Sequence, residues 1–408
     1  MFMEVTVAVS ARARQARVAT WAAFGVQGLC FATLITHVVD LQHKFKLSDG
    51  DLTLVLLLVP VIAGVGSGVA GVLAARYGSS VVLRVSQAVV CALVILIAFN
   101  AGLAGLYVLS AVFGLFLGAV DATMNMQAVA VERTYGMSVL TGFHAVWSVG
   151  SMLGAAFNSV FAWAGLDLAW SLTIPMLLGA AISVVLLPRL YPRDDERATA
   201  RALQVPAGRI PWGPIIPLCL AMAFLYVGDA SVSNYSTVFM EQALDASGWL
   251  VPFAYVIYQA AMLVARVPGD FAVRRYGPAP VVRVGAFIAA AGTVLVIVSP
   301  GVLSALIGFA LIGLGLSIVA PQSFSAAGRL GAGAETAIAR VNMFNYVGYL
   351  VGALIVGVAN DAIDIRTAFI APAVIVALIA LLARGFQMRT AGPTDTGAAP
   401  ASPAHTEP

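Results

Sequence analysis

Long apolar runs separated by short polar breaks recur from one end of the chain to the other. Each run comes close to the roughly 20 residues that an α-helix needs to cross a bilayer core of about 30 Å. Reading runs against breaks predicts helices at 18–39, 51–75, 81–99, 103–131, 138–163, 168–188, 213–240, 248–272, 281–299, 302–323, 337–358 and 367–387. The strands of a membrane barrel alternate apolar and polar residues, and their average hydrophobicity would be far lower. The run at 18–39 follows Arg12, Arg14 and Arg17 and is too long for the core of a cleaved signal peptide, so it is read as an uncleaved first helix. The expected fold class is all-α integral membrane, with twelve transmembrane helices in two pseudo-symmetric six-helix halves.

The pairing into halves rests on an internal repeat. Arg76-Tyr77-Gly78 with Val82, Arg84 and Val85 returns as Arg275-Tyr276-Gly277 with Val281, Arg283 and Val284, a shift of 199 positions. Gly114-Leu115-x-Leu117 returns at the same shift as Gly313-Leu314-x-Leu316, and Val149-Gly150-x-x-x-Gly154-Ala155 returns one position short of it as Val347-Gly348-x-x-x-Gly352-Ala353. Six spans per copy keep both copies in one orientation, so an axis along the membrane normal relates them and a substrate site is expected at their interface. The resulting organisation is an N-terminal tail at 1–17, a first half at 18–188, a linker at 189–212, a second half at 213–387 and a disordered tail rich in Pro, Ala and Thr from 388 to 408.

Composition agrees with a life in lipid: 61% of the 408 residues are hydrophobic and 10% charged, with a mean hydropathy of +0.95. With the N-terminus cytoplasmic, seventeen of the 22 Lys and Arg residues fall on the cytoplasmic side. Lys44, Lys46 and Arg366 fall outside, and Arg266 and Arg340 lie within helices. That bias satisfies the positive-inside rule and places both termini and the linker, with Arg189, Arg193, Arg197, Arg201 and Arg209, in the cytoplasm of a bacterial inner membrane. The net charge of +3 is scattered through loops, so no nucleic-acid partner is expected. Cys30, Cys91 and Cys219 sit in apolar runs as small buried hydrophobes, and neither a disulfide framework nor a metal site is expected. No phosphate loop or nucleophile triad is present, and Gly64-x-Gly66-x-Gly68 inside the second helix is a packing stripe. The chain is therefore not expected to be an enzyme and needs no cofactor.

Two acidic residues, Asp121 and Asp229, fall well inside the predicted spans. An ionised carboxylate at the bilayer centre costs roughly 2.5 to 3.5 kcal/mol on insertion scales, so such a group faces a cavity, has a partner or is protonated. Both are candidates for carrying a proton, and the competing reading is a hydrogen bond to a neighbouring helix. Asn125 shares the helix face of Asp121, four residues on. His144, a third candidate for proton coupling, falls at a depth close to that of Asp121, where it either pairs with the carboxylate to pass a proton or hold a closed conformation, or packs as a satisfied histidine against Trp147. Asn342 and Asn345 occupy the positions equivalent to His144 and Trp147. Gln322 closes the tenth helix, and Gln27, Asn234, Tyr258 and Gln259 are further polar groups at membrane depth. The Gly-x-x-x-Gly pairs at Gly150 and Gly154 and at Gly348 and Gly352 let helix backbones approach closely.

The whole chain resembles a major facilitator superfamily transporter, in the fucose-permease-like branch and its bacterial relatives. The stretch Gly71-Val-Leu-Ala-Ala75-Arg76-Tyr77-Gly78 resembles the superfamily's signature loop, with Ala75 in place of the usual Asp and Ser79 and Ser80 in place of the following basic residues. Leu47-Ser48-Asp49 is similar to the family's external turn, with His37 where relatives often place Arg. Asp121-Ala-Thr-Met-Asn125-Met-Gln127, Val131-Glu132-Arg133 and Phe143-His144-Ala145-Val-Trp147-Ser148-Val-Gly150 are the most specific match. Gly228-Asp229 through Asn234-Tyr235-Ser236 is similar to an acidic pattern in the seventh helix of relatives. The resemblance implies a monomeric secondary transporter that alternates access between its halves and moves a small polar solute with protons. It implies that Asp121, with Asn125, matches the proton-coupling site of the fucose permease. It also implies that the first, fourth, seventh and tenth helices line the cavity, so that Gln27, Asn125, Asn234, Gln259, Gln322, Asn342 and Asn345 would hydrogen-bond the solute between walls of Trp147, Tyr235, Tyr258 and Tyr346. Arg76, Gly78, Arg275 and Gly277 would form the gating loops. Ala155 stands where drug exporters carry a Pro, which leans against drug export; efflux of a metabolite and a non-transporting receptor are the other readings.

Overall fold

Ser10 opens the first helix: its Oγ accepts from the backbone N–H of Ala13, so the helix begins at Ala11, seven residues before the apolar run. The computed structural model describes residues 10–47, 49–202, 212–246, 250, 253–330 and 334–387. Ser48, residues 203–211 of the expected inter-half linker and the expected C-terminal tail lie outside the described residues. The α-helices there are α1 (Ala11–Thr36), α2 (Val38–Phe45), α3 (Asp49–Tyr77), α4 (Ser79–Phe99), α5 (Leu103–Tyr135), α6 (Leu140–Trp163), α7 (Leu168–Leu186), α8 (Arg193–Ala202), α9 (Trp212–Gln242), α10 (Phe253–Tyr276), α11 (Pro278–Ile297), α12 (Val302–Leu316), α13 (Val319–Gly328), α14 (Ala334–Ala362), α15 (Ile365–Ala368) and α16 (Ile370–Leu382). Eleven segments among the described residues are long and apolar enough to cross a membrane, and α6, of 24 residues, packs along α1.

Three expected helices differ in outline. The first, expected to run to 39, breaks at His37, where α2 begins as a separate amphipathic helix. The tenth, expected as one span over 302–323, is two segments that meet at Ser317 and Ile318, just ahead of Pro321, whose missing N–H and ring disfavour a continuous helix. Gln322 consequently lies within α13 rather than at a helix end. The twelfth, expected over 367–387, is divided at Phe369 and finishes in a 3-10 turn, Ala383–Phe386.

The packing repeats as the sequence does. In the first half α1 packs on α6, α3 on α5 and α4 on α7; in the second, α9 packs on α14, α10 on α12 and α11 on α16. Glycines permit the closest crossings. A Cβ at Gly150 would collide with the carbonyl of Gly25, and one at Gly28 with that of Trp147. In the second half a Cβ at Gly348 would strike the carbonyl of Ala223. The repeated Arg-Tyr-Gly also has a shape: Gly78 and Gly277 end α3 and α10 with φ of 91° and 81°, a region that L side chains avoid.

The halves meet through α3 with α14 and α6 with α10. Antiparallel pairing brings Gly71 against Ala339, Ser67 against Ala339 and Asn342, and Gly64 against Met343 and Tyr346. Every hydrogen bond between the halves among the described residues lies between the level of Asp121 and the end of the bundle that carries Arg12, Arg133, Arg275 and Arg329. No described hydrogen bond joins the halves at the opposite end, which carries Lys44, Lys46 and Arg366.

Candidate functional site

Asp121 on α5 lies roughly 21 Å from the Arg-rich end of its helix, taking 1.5 Å per residue. Its carboxylate is shared between the halves: Gln27 of α1 donates to Oδ1 at 3.1 Å, and the hydroxyl of Tyr346, on α14 of the other half, donates to Oδ2. Asp229 on α9 takes a hydrogen bond from Tyr258 of α10 at 2.5 Å, within the second half. Both carboxylates remain partly accessible, although the outer faces of their helices are apolar. A carboxylate that accepts a hydroxyl across the interface makes the inter-half contact depend on its own protonation, which is the chemistry a coupling group requires.

A set of inter-half contacts joins the halves toward the Arg-rich end. Glu132 at the end of α5 accepts from the backbone N–H groups of Val139 and Leu140 at 3.0 and 3.2 Å and from Ser325 of α13, and lies 3.8 Å from Arg329. Asp270 of α10 reaches the other way and accepts from Ser138 Oγ, Thr141 N and Gly142 N at 2.9, 3.1 and 3.0 Å. Two carboxylates, one from each half, thus cap the N-terminus of α6, where free N–H groups and the helix dipole favour negative charge. Above them, Arg266 of α10 donates to Ser148 Oγ at 2.6 Å and to the carbonyls of His144 and Ser317 at 3.4 and 3.5 Å.

The structure does not pair His144 with Asp121. The imidazole lies between Phe24 and Phe324, with ring centroids 5.2 and 6.1 Å away, and its buried Nε2 has no hydrogen-bond partner. That unpaired Nε2 does not fit the expected satisfied histidine, and Trp147 has its ring centroid 5.8 Å from that of Phe31. Asn125 shares the face of Asp121, but its amide donates to the backbone carbonyl of Asp121 at 2.8 Å, a local bond within the helix. Tyr235 donates to the carbonyl of Ala353 at 3.0 Å and so joins α9 to α14. Asn234 is exposed and bonds Ala230 O and Tyr349, while Gln259 donates to Tyr255 at 2.7 Å. Asn342 donates to Ser67 at 3.1 Å across the interface, and Asn345 is half-buried on α14. Gln322 is fully buried with neither end of its amide paired. Arg76 and Arg275 lie over Tyr77 and Tyr276 at 5.2 and 5.6 Å, beside Gly78 and Gly277 at the Arg-rich end.

Sequence reasoning singled out neither Arg266 nor the Glu132 and Asp270 caps as site residues. Arg266 carried a signal, a guanidinium in the middle of an expected span. The caps carried little, because acids within two residues of an expected helix end read as ordinary boundary charges.

A family model described as Major Facilitator Superfamily matches residues 20–334 and 220–405. An uncharacterised MFS-type transporter of Yersinia pestis is 28% identical, with 90% of this chain and 95% of that protein covered. An uncharacterised transporter of Sinorhizobium fredii is 27% identical over 89% of this chain and 96% of its own length. The membrane protein MosC of Rhizobium meliloti is 26% identical, covering 85% and 84%. Among solved structures, the transporter FucP in the outward conformation has a TM-score of 0.75 at 15% identity, over 91% of this chain and 98% of that one. The human organic anion transporter MFSD10 gives 0.74 at 13% identity, covering 91% and 99%.

Proposed function

The chain belongs to the major facilitator superfamily, and on that premise we propose that it is a secondary active transporter that moves a small polar solute by alternating access, coupled to protons through Asp121. The observation that carries this reading is the bond from Tyr346 to Asp121, which ties one half to the other through a titratable group at membrane depth. Protonation of Asp121 removes the charge that Tyr346 and Gln27 serve, and the interface then loses a charge-assisted bond of the kind worth about 1.5 to 3 kcal/mol. That is enough to shift an equilibrium between two arrangements by about tenfold or more. Asp229, held by Tyr258 within one half, is the second candidate proton carrier.

The charge bias supports an orientation with the Arg-rich end on the cytoplasmic side of a bacterial inner membrane. The cytoplasmic side is then closed by the Glu132 and Asp270 caps while the opposite side has no described inter-half hydrogen bond, an outward-facing arrangement. The solved relative FucP of E. coli is described as a fucose:proton symporter, and the structure of XylE as that of a proton:xylose symporter, which supports proton symport of a polar solute here. The protein would act as a monomer in the bilayer.

The test uses proteoliposomes loaded with a pH dye and challenged with sugars, nucleosides, amino acids and small carboxylates. At least one solute should drive acidification of the lumen in the wild type and none should in Asp121→Asn, which would still exchange solute. Solute uptake with no proton movement, or proton movement unchanged in Asp121→Asn, would remove Asp121 from the mechanism.

A further inference from the structure

Resting on that transport reading, we propose that the solute is a small organic anion and that the Arg266 guanidinium holds its carboxylate. Arg266 stands about 15 Å from the Arg-rich end of α10, by 1.5 Å per residue, where α10 meets α6 of the other half and below the level of Asp121 and Asp229. It is 9% exposed. A cation so deep ordinarily sits beside a carboxylate, because the cost of taking a charge out of water is otherwise unmet. The two salt bridges among the described residues are Arg12 with Asp195 and Arg329 with Glu132, and Arg266 is in neither. Its partners are one hydroxyl at 2.6 Å and two carbonyls at 3.4 and 3.5 Å, all neutral and two of them long. They occupy Nε and Nη1, whereas Nη2 has no hydrogen-bond partner among the described residues. Part of the planar fork that matches a carboxylate is therefore unused.

A second observation concerns the groups joined to Arg266 through its carbonyl partners. Arg266 bonds the carbonyl of Ser317, where α12 breaks into α13, and α13 carries Gln322 five residues on and Phe324 after it. Gln322 is fully buried, yet both its amide oxygen and nitrogen are unpaired, and Phe324 covers the face of His144, whose Nε2 is unpaired as well. Buried polar groups are almost always satisfied, because an unmet donor or acceptor costs about 1 to 3 kcal/mol. Two such groups, on His144, whose carbonyl Arg266 bonds, and on α13, which follows the Ser317 carbonyl that Arg266 also bonds, supply donors and acceptors for a ligand with one charged end and further hydroxyl or carbonyl oxygens.

The charges also give a rule for coupling. The groups facing Arg266 are His144 and Ser148 from α6, Asp229 and Tyr226 from α9, Ser317 at the end of α12, and Tyr258 and Asp270 on its own helix, Asp270 being committed to the N-terminus of α6. With Asp121 and Asp229 protonated, Arg266 leaves the inner space one positive charge; with both ionised, the space is negative by one. An anion is therefore taken together with protons and expelled when they leave, and no separate coupling device is needed.

The test compares acids with uncharged counterparts of the same shape: benzoate with benzyl alcohol, D-glucuronate with D-glucose, and L-lactate with 1,2-propanediol. Binding is measured by thermal stabilisation of the purified protein at pH 6 and pH 8. At least one acid should bind saturably and at least about tenfold more tightly than its counterpart, more tightly at pH 6 than at pH 8. That preference should be lost in Arg266→Gln and be intermediate in Arg266→Lys, which keeps the charge without the fork and serves if the Gln variant does not fold. Binding of no acid at either pH, an uncharged member binding as well as its acid, or a preference unmoved in both variants would overturn the proposal. The two readings fail separately. A neutral solute that moves with protons in proteoliposomes sinks the anion and leaves transport standing, whereas an acid that binds through Arg266 but drives no proton flux sinks transport and leaves the site.

Discussion

Asp121 and Tyr346 are 225 positions apart, and their contact decides how the halves are joined. Tyr346→Phe removes the hydroxyl and leaves the ring, so packing is kept and the charge-assisted bond is lost. The closed end should weaken by about 1.5 to 3 kcal/mol, read as faster alkylation of a cysteine placed at Ala339, which is buried against Gly71 in the wild type. An alkylation rate equal to that of the Ala339→Cys parent would mean that the bond does not hold the halves together. Asp121 was legible in the sequence because an acid amid apolar residues is rare, but Tyr346 was not, since nothing local to either residue encodes their meeting. His144 misled for a related reason. Equal depth on neighbouring helices allows a contact but does not say which way the ring turns, and here aromatic packing with Phe24 and Phe324 holds it.

Among elements, the helix pairs that cross most closely depend on glycines whose missing Cβ would meet a backbone carbonyl. Gly150→Leu should therefore push α6 off α1, and Gly348→Leu should push α14 off α9, each costing about 1 to 3 kcal/mol and occasionally more. Thermal unfolding in detergent should show both losses, while Gly102→Leu, where a Cβ meets nothing, should leave stability nearly unchanged. Equal stability of all three variants would count against glycine-mediated packing. This level was the most legible, since the Gly-x-x-x-Gly spacing and its repetition mark which faces touch. The break in the tenth helix was missed, although Pro321 was in plain sight, because an apolar run does not reveal which side of a proline the helix resumes.

The linker helix α8 adds a device that the linker sequence did not disclose. Glu196 reaches the start of α4, where the signature-like loop has Ser79, and accepts from Ser79 N at 3.4 Å, from Ser79 Oγ and from Gln127. Burial pushes its carboxyl up to about 7 against the lowering effect of Ser79, with Glu335 raising it further and Arg133 lowering it. A carboxyl raised in the docked state favours docking when protonated. Docking of α8 should then be strongest at low pH and weaken as pH rises toward and through about 7. Hydrogen exchange of α8 should be faster at pH 8 than at pH 6 in the wild type, and Glu196→Gln should abolish the difference after correction for the intrinsic rate. Persistence of the difference in that variant would assign it to another group.

At the scale of the whole molecule, two similarly packed halves are joined at the Arg-rich end and lack described hydrogen bonds at the other. The sequence repeat foretold the similarity of the halves, but not which end closes, since that depends on the Glu132 and Asp270 caps reaching across the interface to α6. Alternating access in this chain requires the halves to rock about the level of Asp121. Distances between spin labels at His43 and Glu241, both exposed at the far end, and between labels at Tyr77 and Tyr276 at the Arg-rich end test it directly. On lowering pH in the presence of a transported solute, the far-end distance should shorten and the Arg-rich distance lengthen, both effects vanishing in Asp121→Asn. Two distances that stay fixed under every condition, or that change together in the same direction, would contradict alternating access in this protein.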